Sequence, residues 1–115
     1  MKGNLLNSKR AKKNFGARGG GNEKDISELC AAFLYLKTQD EYKRFLFDLC
    51  TPAEISAFAE RWKIAKILND GELSYDKIHQ ESGVSVTTIG RVARFLSQEK
   101  HQGYKLVLDR MILKK

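Results

Sequence analysis

The chain has 115 residues, of which 42% are apolar, 10% aromatic and 30% charged, and its formal net charge is +7. That length suits one compact domain with a tail rather than two domains. The longest apolar run, LCAAFLYL at 29–36, falls far short of the ~20 residues of a membrane span, and the start MKGNLLNSKRAKK lacks the apolar region of a secretory signal.

Residues 1–24 carry seven basic side chains against one acid, whereas 25–115 carry fourteen against thirteen. The basic balance therefore belongs mostly to the tail, and charge alone does not establish nucleic-acid binding. This Lys/Asn/Gly-rich stretch contains Gly19-Gly20-Gly21 and shows no apolar period. It is expected to be mobile, and either adds sequence-independent attraction to phosphates or is merely solvated.

From Asp25 onward the apolar period is helical. Ile26, Leu29, Cys30, Phe33 and then Leu36 or Lys37 mark a first helix, and Tyr42, Phe45, Leu46 and Leu49 a second over about 40–49. Thr51-Pro52-Ala53-Glu54 is the clearest start signal, a capping box with proline in the first helical position. The third helix runs to Asp70 and stops at Gly71. Its apolar residues (Ile55, Phe58, Trp62, Ala65 and Leu68, with Ile64 and Ile67 off that stripe) occupy more than one side, which predicts a central position. Ser74 caps a short helix to Ser82, and Gly83-Val84-Ser85 leads into another to about Gln98. Tyr104, Val107, Leu108, Met111 and Ile112 mark the last helix. The prediction is an all-α body of six helices over 25–115. Stripes broader than one neighbour can cover predict an intertwined homodimer, with a monomer as the alternative. Cys30 and Cys50 lack metal or redox spacing and are expected as reduced thiols within the core. A cytoplasmic setting follows.

Residues 74–97, SYDKIHQESGVSVTTIGRVARFLS, carry the functional signal. A short helix, a glycine turn and a second helix make a helix-turn-helix, whose second helix reaches the major groove of DNA. Gly83 supplies the left-handed helix end. Ile78, Val84, Ile89 and Val92 form the shared core, with Val86 and Leu96 also inward. Thr87, Arg91 and Arg94 lie on another side, with Thr88 and Gly90 nearby. Hydroxyl side chains approach bases or phosphates, and arginines offer forked donors to guanine or phosphate. Glycine at 90 sacrifices about 1 kcal/mol of helix propensity, which points to close approach by something, DNA being a candidate. No acid occurs between Gly83 and Gln98. The candidate DNA contacts are Ser85, Thr87, Thr88, Gly90, Arg91 and Arg94, with Lys77 assisting. His79 either assists or is an ordinary surface residue.

The segments TPAEI (51–55), ERWKIAKILNDGELSY (60–75), SGVSVTTIGRVARFL (82–96) and GYKLVLDRM (103–111) resemble the Trp-repressor-like family, and within it the YerC/YecD branch. The resemblance implies a dimer of interlocked helices with two helix-turn-helix heads that bind double-stranded DNA. In tryptophan-responsive members the amino acid sits between the central and recognition helices. It is flanked there by two arginines, with a threonine nearby and a glycine leaving room. Arg61, Arg91 and Thr51 match the first three positions. The glycine position holds Val92, and a serine position one turn later holds Phe95. Added bulk in a packed site costs ~1–3 kcal/mol, so the pocket is expected to be occluded by Val92 and Phe95 and unresponsive to tryptophan. Any other small effector is unspecified. Asp76 also departs from the family, which presents an arginine to DNA there.

Trp62 reads as core or dimer interface, with the wall of a pocket as the alternative, and Tyr35, Tyr42 and Tyr104 read as packing. The two histidines and two cysteines are scattered without ligand spacing, so no metal is expected. There is no phosphate loop and no nucleophile–base pattern, so neither a cofactor nor catalysis is expected. The expected function is a sequence-specific transcriptional regulator, a repressor acting as a dimer. The alternative is a helical protein–protein interaction module without specific DNA binding.

Overall fold

The computed structural model describes residues 22–114; the expected mobile tail lies, up to residue 21, outside the described residues. Among the described residues six α-helices follow in order: α1 Glu23–Phe33, α2 Gln39–Leu49, α3 Pro52–Asp70, α4 Tyr75–Ser82, α5 Val86–Ser97 and α6 Gly103–Lys114. No strand occurs among the described residues. The all-α expectation holds. Two compact units divide the chain, one ending at Phe45 and one beginning at Leu46.

In the first unit, α1 begins two residues before the expected Asp25, because the Asn22 side chain accepts the Asp25 amide at 2.8 Å. It also ends earlier than the periodicity suggests. The amides of Leu34, Tyr35 and Leu36 turn to carbonyls three residues back, each at 3.1 Å, the tightening typical of a helix end. Leu34 and Tyr35 are thereby exposed, so Tyr35 does not pack as expected. Thr38 accepts the Glu41 amide at 3.2 Å and starts α2. Phe33 then meets Tyr42 and Phe45 at ring-centre distances of 6.4 and 5.4 Å.

The second unit is built around α3. Both arms of the expected capping box are present: Thr51 Oγ1 accepts the Glu54 amide at 3.1 Å, and Glu54 Oε1 accepts the Thr51 amide at 2.8 Å. Gly71, at φ 73°, closes the helix in the left-handed conformation, which glycine adopts without steric cost. α3 packs on α5 and α6, and α5 also packs on α4 and α6. The core unites Ile64 and Ala65 of α3, Ile78 of α4, Val84 of the turn, and Ile89 and Val92 of α5. Ile64, Ile78, Ile89 and Val92 are fully buried, and each such side chain stabilises the fold by ~1.5–3 kcal/mol.

Two expectations fail here, at the cysteines and at Val86. Cys30 is exposed and Cys50 only half-buried, although both are free thiols. Val86 is 45% exposed rather than inward, because the first residue of α5 projects past the end of the core. On α6 only Leu108 of the apolar stripe is buried, and Val107, Met111 and Ile112 are exposed. The stripe is wider than the face that α3 and α5 cover.

Candidate nucleic-acid interface and adjoining cleft

The α4–turn–α5 segment is fixed by local hydrogen bonds. Ser74 Oγ accepts the Lys77 amide at 3.2 Å and starts α4. Gly83, at φ 79°, ends it, donating its amide to the His79 carbonyl at 2.9 Å. Ser82 Oγ donates to the Ile78 carbonyl at 2.6 Å and accepts the Val84 amide at 3.1 Å. His79 Nδ1 donates to the Val84 carbonyl at 2.7 Å. Only the tautomer with a proton on Nδ1 can bond a carbonyl, so this bond also sets the ring's proton arrangement. Val84 is thus held through its amide, its carbonyl and a side chain just 5% exposed. That triple anchorage sets how α5 leaves the turn.

Ser85 then caps α5, its Oγ accepting the Thr88 amide and donating to Thr88 Oγ1, both at 3.1 Å. Their hydroxyls are therefore engaged in the helix start as well as facing outward. Ile89, Val92 and Leu96 turn into the core, while Thr87, Arg91 and Arg94 are exposed. At about 100° per residue these three lie within ~60° of one another. Thr88 and Gly90, both half-buried, flank that strip. A Cβ built at Gly90 would meet nothing within 4 Å, so packing inside the chain does not require glycine there.

The two arginines share an aromatic partner, and only Arg94 has an acid as well. Arg91 lies 4.7 Å above the centre of the Phe95 ring, and Arg94 lies 5.4 Å from the same ring. Arg94 Nε also donates to Glu99 Oε2 at 2.9 Å, the two side chains being 59% and 35% exposed. Ion pairs this exposed contribute ~0–1 kcal/mol, so a phosphate oxygen can replace the carboxylate at little cost. Glu99 escapes a sequence reading because it stands just beyond the acid-free stretch ending at Gln98. Lys77 is exposed and reaches Glu81 at 3.9 Å. Asp76, the acid where the resemblance calls for arginine, lies in the first turn of α4, where the helix dipole favours a carboxylate.

Behind this face α3, α5 and α6 enclose an open cleft of about 540 Å³. Arg61 and Trp62 form one wall, Arg91, Val92 and Phe95 a second, and residues 101–104 with Val107 the third. Trp62 stacks on Tyr104 at 6.4 Å, and Arg61 lies 5.9 Å from the Phe58 ring centre. Gln102 takes the left-handed conformation, φ 54°, and its Nε2 donates to the Glu99 carbonyl at 2.7 Å. Four of the five expected pocket residues thus come together. Thr51 does not: its hydroxyl caps α3, ten residues or ~15 Å along the helix from Arg61. The expected occlusion is also incomplete. Val92 is buried at the base with 1% exposure, yet the half-buried Phe95 leaves the cleft open beside it. His101 and Gln102 of this wall come from the α5–α6 connection, which the motif does not mark, and Gly103 and Tyr104 open α6.

Among the described residues no group of three or more His, Cys, Asp or Glu could hold a metal ion, and no helix is long and apolar enough to cross a membrane.

Residues 24–112 match the family model for the Trp repressor protein. The uncharacterised protein YerC of Bacillus subtilis (strain 168) is 40% identical over 88 residues, covering 76% of this chain and 83% of YerC. A Staphylococcus aureus crystal structure proposed to be a Trp repressor superposes with a TM-score of 0.71 at 37% identity, over 79% of this chain and 89% of that one. A TrpR-like protein from Eubacterium eligens ATCC 27750 gives 0.70 at 34% identity, over 78% and 91%. With its helix-turn-helix assembled on a central α3 and these likenesses spanning most of its length, the chain belongs to the Trp repressor family, on the YerC branch.

Proposed function

We propose that the chain is a cytoplasmic, sequence-specific regulator of transcription that binds double-stranded DNA as a homodimer and represses by occupying its site. The observation carrying this reading is the outer strip of α5. Thr87, Arg91 and Arg94 are exposed on a helix without acids, behind a turn anchored through Val84. Two such heads, one per chain and ~34 Å apart, reach successive major grooves of a near-palindromic site. The exposed apolar residues Val107, Met111 and Ile112 of α6 support the pairing of two copies. Ser85 and Lys77 add phosphate contacts at the edges of the strip. His79 acts through the turn rather than as a DNA contact.

DNA competence is proposed to be independent of tryptophan. Val92 fills the base of the cleft, and Arg91 already rests on Phe95. Micromolar binding of tryptophan in calorimetry would overturn this part.

Selection of bound fragments from genomic DNA, followed by gel shifts across a salt series, tests the main reading. Specific binding should weaken roughly a thousandfold or more between 50 and 200 mM salt if six to ten phosphates are contacted. A chain that selects no sequence and shows no salt-dependent binding is instead the helical interaction module. The Arg94–Glu99 pair, which offsets one cation of the strip, is the observation favouring that second reading.

A further inference from the structure

We infer that Phe95 is a positioning residue of the reading helix: its ring is the shared platform that orders Arg91 and Arg94 before DNA arrives. The inference rests on the DNA-binding reading proposed above. Both guanidinium groups converge on this one ring, at 4.7 and 5.4 Å from its centre. Phe95 is half-buried, and its neighbours Val92 and Leu96 are buried. The platform is therefore tied to the core, while the groups above it face outward.

The chemistry of the contact suits a reading arginine. A guanidinium is flat, its five N–H donors lie in its plane, and its faces stack on aromatic rings. A ring beneath it takes up a face and leaves every donor available, whereas a carboxylate occupies the donors themselves. Among the described residues Arg91 has no acceptor partner, so all five of its donors remain for base edges or phosphate. Arg94 gives up only Nε to Glu99, and its terminal nitrogens stay free. A phenylalanine has no polar atom of its own to compete for them. An arginine that must be ordered on binding forfeits roughly 2- to 12-fold in affinity. Removing the platform under two arginines should therefore cost about 5- to 150-fold.

The test compares wild type, Phe95→Leu and Phe95→Tyr in the full chain. Leucine keeps apolar bulk without a ring, and tyrosine keeps the ring. Affinity for a selected site and for random DNA is measured across salt, with thermal unfolding as the control for folding. F95L should bind the selected site about 5- to 150-fold more weakly and random DNA within about twofold of wild type. Its salt slope should be unchanged, because the same cations still neutralise the same phosphates. F95Y should stay within about twofold of wild type at both. A folded F95L indistinguishable from wild type, or an F95Y as weak as F95L, overturns the inference. NMR of the free wild-type protein gives a readout that needs neither variant nor DNA. The Nε–H of Arg91 should be shifted upfield of that of Arg110 by the ring current, and equal shifts overturn the platform. Failure of wild type to bind any DNA overturns the regulator reading instead, and leaves the ring-current result standing.

Discussion

Replacing Gly90 by alanine should push stability and DNA affinity in opposite directions. Gly90 lies inside α5 with an ordinary helical backbone, and an added Cβ meets nothing within 4 Å. Glycine in a helix interior is ~0.8–1.0 kcal/mol less favourable than alanine, and no clash offsets the gain. For a domain of this size that raises the unfolding midpoint by about 4–8 °C. The same methyl group enters the space beside the Thr87–Arg91–Arg94 strip. If a duplex approaches there, overpacking of ~1–3 kcal/mol applies, a loss of roughly 5- to 150-fold in affinity. Calorimetric melting and gel shifts on a single preparation measure both effects. An unchanged or lowered midpoint would refute the claim that the space is open within the fold. A raised midpoint with undiminished DNA affinity would remove the close approach at position 90.

Three further outcomes follow from the same contacts. His79→Ala removes the bond to the Val84 carbonyl and should destabilise the fold by about 1–2 kcal/mol, whereas His79→Asn, whose amide stands where Nδ1 does, should restore much of the loss in urea unfolding. Equal loss in both variants would separate His79 from the turn. Arg91→Ala and Arg94→Ala should each weaken binding to a selected site by about 1–3 kcal/mol where they read a base, measured by titration at fixed salt. Full affinity in the double variant would exclude them as readers. Thr51→Ala removes the hydroxyl arm of the α3 cap, leaving the Thr51 amide to Glu54, and should lower stability by ~0.5–2 kcal/mol without altering DNA binding at matched folded fraction. A selective loss of DNA affinity would instead place Thr51 in the binding machinery.

The amino-acid sequence by itself determined the six helices, their starts at Thr51, Ser74 and Ser85, their stops at Gly71 and Gly83, and the inward set Ile78, Val84, Ile89 and Val92. Each of these depends on hydrogen bonds across three or four residues or on one helical period, so a short stretch of chain contains the whole physical cause. The folded chain decided how the helix ends are finished, with Glu99 meeting Arg94 and His79 holding the turn, and tertiary packing decided that residues 101–104 wall the cleft while Thr51 does not. It also decided that Cys30, Val86 and much of the α6 stripe stay exposed. Those outcomes depend on where a helix ends and which way a side chain points once α3, α5 and α6 have met. Periodicity marks which face of a helix is apolar, but not how much of that face a neighbour reaches.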